Sequence, residues 1–209
     1  MIREKGGRTM NSSFPEVRGI KELYSEEDIQ KVVQEAAVRI MGKYLPLLKR
    51  EGDDFKLIFV AVLSGAIRYR TALADEVGLR LARAGYYGCI QEDEVSVSSY
   101  LNGTEPQEIR FLLDTKRSIA GAHVVLVEDI IDTGITASCI INLLRAKKPV
   151  DLDLYILIDK TPRREKAVQP VYVGFQLTED LYVVGFGLDK DGRFRELPFI
   201  GYASEENNH

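Results

Sequence analysis

The run from Val124 to Thr136, VVLVEDIIDTGIT, limits the folds open to this chain more than any other stretch. Its opening apolar residues, mostly β-branched, read as a buried parallel strand over Val124–Val127. Glu128 and Asp129 stand at the carboxyl end of that strand. Thr133 and Gly134 suit a tight turn, and a helix is expected from Thr136 to Arg145. Free amides at a helix start form an anion site, because the N–H groups and the helix dipole both favour negative charge. The two acids could not bind a phosphate themselves. They can accept hydrogen bonds from vicinal sugar hydroxyls, or help hold a hydrated Mg²⁺, which takes oxygen ligands. Acids for a ribose beside amides for its 5′-phosphate describe a site for a phosphorylated pentose. The plainer alternative is a capped strand–turn–helix whose acids are merely solvated.

The rest of the chain suits one α/β domain. At 209 residues, with 45% hydrophobic and 29% charged residues, it can bury one good-sized core, and no composition shift divides it. A net charge of −4 argues against broad nucleic-acid binding. No apolar run is long enough for a membrane span or signal peptide, so a cytoplasmic protein is expected. Cys89 and Cys139 lack metal-ligand spacing and read as buried small hydrophobes rather than a disulfide. His123 and His209 are the only histidines, which leaves almost no material for a histidine triad or a zinc cluster, and His123 reads as structural. Residues 1–14 and 203–209 read as loose polar tails of a single domain spanning 1–209.

Helical spacing of Ile29, Val32, Val33, Ala36, Ala37, Ile40, Met41 and Leu45 predicts a helix within Ser25–Leu48, with Ser25 as N-cap and Glu26, Glu27 and Asp28 in an acidic first turn. Leu57–Leu63 reads as a buried strand, followed by a small-residue break and an amphipathic segment at Ile67–Val77. The segment Tyr86–Val97 leads into a polar loop at Ser98–Glu108, where Asn102-Gly103 signals a hairpin turn. A further strand is expected at Leu152–Ile158. Strands alternating with helices imply a mainly parallel sheet with crossover helices, whose ligands gather at the carboxyl ends of the strands.

Other segments carry chemistry of their own. Ser64-Gly65-Ala66 follows a strand with little side chain, so its backbone could approach a phosphate closely, or simply pack strand against helix. Tyr182, in Tyr182-Val183-Val184-Gly185-Phe186-Gly187-Leu188-Asp189, offers a flat face for stacking on a base. The backbone at Val183 can pair with a base edge, and the Asp189 carboxylate can serve a second Mg²⁺. The alternative is that these aromatics, Phe175 and Phe186 above all, only pack within a small sheet.

EDIIDTG with these flanking segments resembles the signature of the type I phosphoribosyltransferases, and is most similar to that of the hypoxanthine-guanine phosphoribosyltransferases. The resemblance covers about residues 20–202. It implies a parallel sheet flanked by helices, with a small hood made from the N- and C-terminal segments. It implies transfer of phosphoribosyl from 5-phosphoribosyl 1-pyrophosphate to a 6-oxopurine, giving the nucleoside monophosphate and pyrophosphate, with Mg²⁺ as cofactor. Asp132 would take the proton from N7 of the base. Glu128 and Asp129 would position the ribose and assist the metal, and Thr133, Gly134, Ile135 and Thr136 would hold the 5′-phosphate. Lys160 would donate to the purine's exocyclic oxygen, beside Tyr182 and Val183. Ser64, Gly65 and Arg195 would meet pyrophosphate, Asp189 the metal, and Ser99 and Tyr100 would belong to a mobile flap. Relatives commonly carry lysine where this chain has Ser64, and their pyrophosphate loop often contains a cis peptide. A homodimer or homotetramer is implied, and the apolar residues of Ile67–Val77 could meet a symmetric partner. Two other readings stay open: a xanthine- or pyrimidine-preferring transferase, and a non-catalytic nucleotide-binding regulator on the same fold.

Overall fold

Alternation along the central strands decides how the chain layers. Leu57, Phe59, Val125, Val127, Tyr155 and Leu157 belong to one buried cluster, whereas Ile58, Val60, Val124, Leu126, Leu154 and Ile156 belong to another. Successive side chains of a strand point to opposite faces, so a strand apolar at every position must be covered on both sides. In the computed structural model the described residues are Val17, 19–100 and 108–203. They form β1 (Ile20–Tyr24), α1 (Glu26–Glu51), β2 (Leu57–Val62), α2 (Ile67–Arg83), β3 (Ile90–Tyr100), β4 (Glu108–Leu113), β5 (His123–Ile131), α3 (Ile135–Ala146), β6 (Asp151–Lys160), β7 (Tyr172–Leu177), β8 (Val183–Val184) and β9 (Ile200–Ala203).

The main sheet has the order β4-β3-β2-β5-β6-β7. All neighbours are parallel except β4, which runs antiparallel to β3 along the edge. α1 and α2 cover one face through residues such as Ile29, Ile40, Tyr69, Leu73 and Val77, and α3 covers the other through Ala137, Ile140 and Leu144. The expected α/β layering is therefore present. The start of α1 is as anticipated: the Asp28 amide donates to the Ser25 hydroxyl at 3.2 Å, and the Ser25 amide donates to the Asp28 carboxylate at 3.2 Å.

A second, three-stranded antiparallel sheet, β1-β9-β8, forms the hood. Ile20, Val184, Leu197 and Phe199 make its own small core. Arg68, in the first turn of α2, fastens it to the main body. Its Nη1 donates to the carbonyls of Arg195 and Glu196 at 3.0 Å and of Leu197 at 2.8 Å, and its guanidinium lies over the Phe186 ring.

Several expectations are corrected. The polar loop does not begin at Ser98, because β3 continues through Ser98, Ser99 and Tyr100, paired with Arg110, Ile109 and Glu108. Tyr172–Phe175 belong to the edge of the main sheet rather than to a small sheet, and Phe175 stacks on Tyr24 at 3.8 Å. Ala203 is not in a tail, since it pairs with Ile20. Along Ile67–Val77 the residues Tyr69, Leu73, Ala74 and Val77 are already buried within the chain, and of its large apolar residues only Ile67, 39% exposed, faces out. The stripe expected to meet a partner is thus largely used internally. Both cysteines are free and half-buried rather than fully buried. His123 is structural as expected: its ring nitrogens meet Asp151 at 2.9 Å and Glu51 at 3.1 Å. The arm 1–14, the Asn102-Gly103 turn and residues 204–209 lie outside the described residues. Among the described residues no helix is long and apolar enough to cross a membrane.

Candidate active site

Two adjoining cavities open at the carboxyl ends of β2, β5 and β6, where a parallel sheet of this kind gathers its ligands. They share Leu63, Asp129, Ile130 and Asp132. The smaller, about 270 Å³, is walled by Glu128, Thr133, Gly134, Thr136 and Ala137. The larger, about 380 Å³, lies toward the hood and is walled by Ser64, Gly65, Lys160, Arg163, Tyr182, Val183, Asp189 and Arg195. Residues as far apart in sequence as Ser64 and Arg195 therefore converge.

The smaller cavity is built by a turn that only glycine makes easily. Gly134 has φ +82°, and a Cβ there would overlap the carbonyl oxygen of Lys166. Gly134 caps α3 and brings no side-chain cap of its own, an arrangement that leaves amides at a helix start available to an anion. Thr133 and Thr136 add hydroxyls. The Ile135 amide is the exception, since it donates to Thr133 Oγ1 at 3.4 Å, and Ile135 does not wall the cavity.

Glu128 and Asp129 close the floor. Burial pushes the Glu128 carboxyl well above the usual carboxylate range, and the neighbouring Asp129 adds to the effect. Asp129 is also raised, by burial, against opposing help from the Glu128 carboxyl and the Ile130 amide. Glu128 Oε2 is buried without a partner. Glu128 is thus poised to gain from a sugar hydroxyl or a cation that would satisfy its free oxygen, with Asp129 beside it. Gly65 packs so tightly here that a Cβ would fall inside the Asp129 carboxylate. The Leu63–Ser64 peptide just before it is cis.

In the larger cavity Lys160 is buried, 7% exposed, at the end of β6. It is ion-paired with Asp180, whose carboxyl it holds below the usual range, and its Nζ lies 3.9 Å from Asp132 Oδ2. Asp132 Oδ2 also pairs with Arg163 Nη1 at 3.2 Å, while its Oδ1 is buried with no partner. Tyr182, 57% exposed, presents its ring at the cavity wall, and its hydroxyl donates to the Asp189 carbonyl at 3.2 Å. Val183 lies beside it in β8. Arg195 Nη2 pairs with Asp189 Oδ1 at 2.6 Å, and the other Asp189 oxygen accepts from the Gly192 amide at 2.7 Å.

The proposed metal ligands are not one cluster. Among the described residues no three acidic, histidine or cysteine side chains gather around a point that could hold an ion. Asp129 and Asp189 instead wall the same cavity. One or two carboxylates completed by water and substrate phosphates is the donor set that suits Mg²⁺, so the residues fit that ion. Ser99 and Tyr100 close β3, paired with Ile109 and Glu108 of β4, and segment 101–107, which would carry the flap, is outside the described residues.

Sequence reasoning missed Asp180, the partner of Lys160, and gave no role to Arg163 or Arg164. Arg68 was missed as well. Only the run of arginines after Pro162 offered any signal.

Comparison with known proteins bears on this geometry. A family profile described as "Phosphoribosyl transferase domain" matches residues 19–191. The hypoxanthine-guanine phosphoribosyltransferase of Bacillus subtilis is 34% identical over 87% of this chain and 91% of its own. The hypoxanthine-guanine-xanthine phosphoribosyltransferase of Tritrichomonas foetus is 32% identical over 88% of this chain and 91% of its own. Among solved structures, the hypoxanthine phosphoribosyltransferase of Trypanosoma cruzi in complex with the product IMP superposes with a TM-score of 0.79, at 29% identity, over 93% of this chain and all of that one.

Proposed function

The chain belongs to the phosphoribosyltransferase family, and from that premise we propose that it transfers phosphoribosyl from 5-phosphoribosyl 1-pyrophosphate to hypoxanthine or guanine, forming IMP or GMP and pyrophosphate in purine salvage. The observation that carries the reading is the pair of cavities meeting at Asp129 and Asp132. One has an amide-rich helix start for a phosphate, and the other has Lys160 and Tyr182 for a base.

Each residue has a task in the displacement. The loop Thr133–Thr136 holds the 5′-phosphate, and Glu128 and Asp129 accept from the ribose hydroxyls. The ring of Tyr182 stacks on the purine, and the buried Lys160 ammonium donates to its 6-oxo group. As the purine N9–C1′ bond forms and the bond from C1′ to pyrophosphate breaks, Asp132 takes the N7 proton as general base. Ser64 and Gly65, through their backbone, and Arg195 receive the departing pyrophosphate. Asp129 and Asp189 would hold Mg²⁺, whose charge offsets that of the pyrophosphate. The β3–β4 hairpin, carrying Ser99 and Tyr100, would exclude water from the cation-like centre.

Pyrophosphate release with hypoxanthine, guanine, xanthine and adenine, each with and without Mg²⁺, tests the reading. Hypoxanthine or guanine should be converted only with the metal. Adenine should be poor, because its 6-amino group cannot accept from Lys160. Equal turnover of adenine and hypoxanthine, or full turnover in chelator, would defeat it. Xanthine belongs in the same assay, since the T. foetus relative carries that base in its name. We further propose a cytoplasmic homodimer or homotetramer, for which light scattering at micromolar concentration should give a multiple of 23.5 kDa.

A further inference from the structure

We propose that Arg164 is a positioning residue that couples the base subsite to the ribose-phosphate subsite, an inference that rests on the transferase reading above. One guanidinium reaches both subsites. Its Nε donates to the Asp132 carbonyl at 2.8 Å, and its Nη2 donates to the carbonyls of Ile131 at 3.0 Å and Lys160 at 3.2 Å. The same Nη2 is ion-paired with Asp159, whose other oxygen faces Gln176 Nε2 at 3.4 Å on β7. Asp159 and Ile131 are themselves partners across β5 and β6. Arg164 therefore stands where these two strands end, and its planar fork supplies the donors that their last carbonyls would otherwise lack.

These contacts aim the groups that meet substrate. In a trans peptide the C=O and the following N–H point in opposite directions. Holding the Asp132 carbonyl on the Arg164 side turns the Thr133 N–H away from it. Holding the Ile131 carbonyl does the same for the Asp132 amide, and so sets the backbone from which the proposed base projects. On the other strand, the Lys160 carbonyl is held by the same cation. The segment continues the grip beyond Arg164: the amides of Glu165 and Lys166 both donate to the Thr133 carbonyl at 2.9 Å. A base drawing on Lys160 and Asp132, and a phosphate drawing on Thr133 and its neighbours, thus both pull on one guanidinium. Occupation of either subsite should order the other, and such coupling is reciprocal.

The test uses the full chain with Arg164→Gln, Arg164→Lys and Asp159→Asn. The affinity for ribose 5-phosphate is measured with and without hypoxanthine, and the ratio reports the coupling. In the unaltered protein hypoxanthine should tighten ribose 5-phosphate binding. In Arg164→Gln the ratio should fall toward one, KM for 5-phosphoribosyl 1-pyrophosphate should rise more than KM for the base, and kcat should fall about 10²-fold, as for a small misplacement of reacting groups. Arg164→Lys, which keeps the charge without the fork, should lie between. A ratio of one in the unaltered protein would overturn the proposal. So would an unchanged ratio and unchanged KM values in Arg164→Gln, with only the melting temperature lowered. Should that variant not fold, Arg164→Lys and Asp159→Asn decide between the same outcomes by the same readouts. If the unaltered protein shows no turnover while the binding ratio behaves as expected, the transferase reading fails and the role of Arg164 stands. Normal turnover with no effect of the variants on the ratio gives the opposite result.

Discussion

Asp132 is the residue on which the proposed chemistry presses hardest, and its surroundings are unequal. Oδ2 is held by Arg163, whereas Oδ1 is buried without a donor. A buried acceptor left unpaired is costly, and a purine N7–H would satisfy it. Asp132→Asn keeps the shape and removes the basic oxygen, so kcat should fall roughly 10²–10⁴-fold. Affinity for IMP, measured by calorimetry, should change much less. Lost IMP affinity with kcat intact would make Asp132 a binding residue instead. At Gly65 the constraint is steric: Gly65→Ala must push aside the Asp129 carboxylate. We expect kcat/KM to drop at least about 10²-fold, with little change in melting temperature, and steady-state kinetics beside a thermal melt will separate the two. Gly65, Lys160, Tyr182 and Arg195 could be picked from the sequence because each sits at a fixed offset inside a motif. Asp180 and Arg68 could not. What they do depends on the group standing opposite, a lysine twenty residues earlier in one case and the carbonyls of a distant hood segment in the other.

Elements are legible where local rules decide them. The start of α1 needs only Ser25 and Asp28 three residues on, and the reciprocal cap forms. Ser25→Ala should cost about 1 kcal/mol and lower the melting temperature by roughly 2–4 °C, readable by circular dichroism. No change would mean that water replaces the hydroxyl at no cost. Strands whose existence depends on a distant partner are the ones that escape such rules. Ser98–Tyr100 look like loop because they are polar, but residues 108–110 supply their ladder. β1 and β8 are too short to show a period, and each exists because β9 lies between them. The amphipathic pattern of Ile67–Val77 does mark a helix with one apolar side. Pattern alone does not say whether that side faces the chain's own sheet or another subunit, and here it faces the sheet.

For the molecule as a whole, the proposed nucleotide site spans two sheets, so a nucleotide should tie them together. IMP present at about a hundred times its Kd should add about 2.7 kcal/mol to the folded state, raising the melting temperature by roughly 5–10 °C for a chain of this size. Thermal scanning with and without IMP checks this, and an unmoved transition would argue against occupancy of both cavities. The antiparallel pairing of β1 with β9, with Ile20 opposite Ala203, carries a consequence for how the site comes into being. β9 is the last of the described elements to leave the ribosome, whereas the sheet that carries the proposed phosphate loop has all its strands by Leu177. A nascent chain could therefore grip a phosphate before it has any roof to receive a purine. A messenger cut short by a premature stop ahead of Ile200 would leave a product with one half of the site and no means of joining the two substrates.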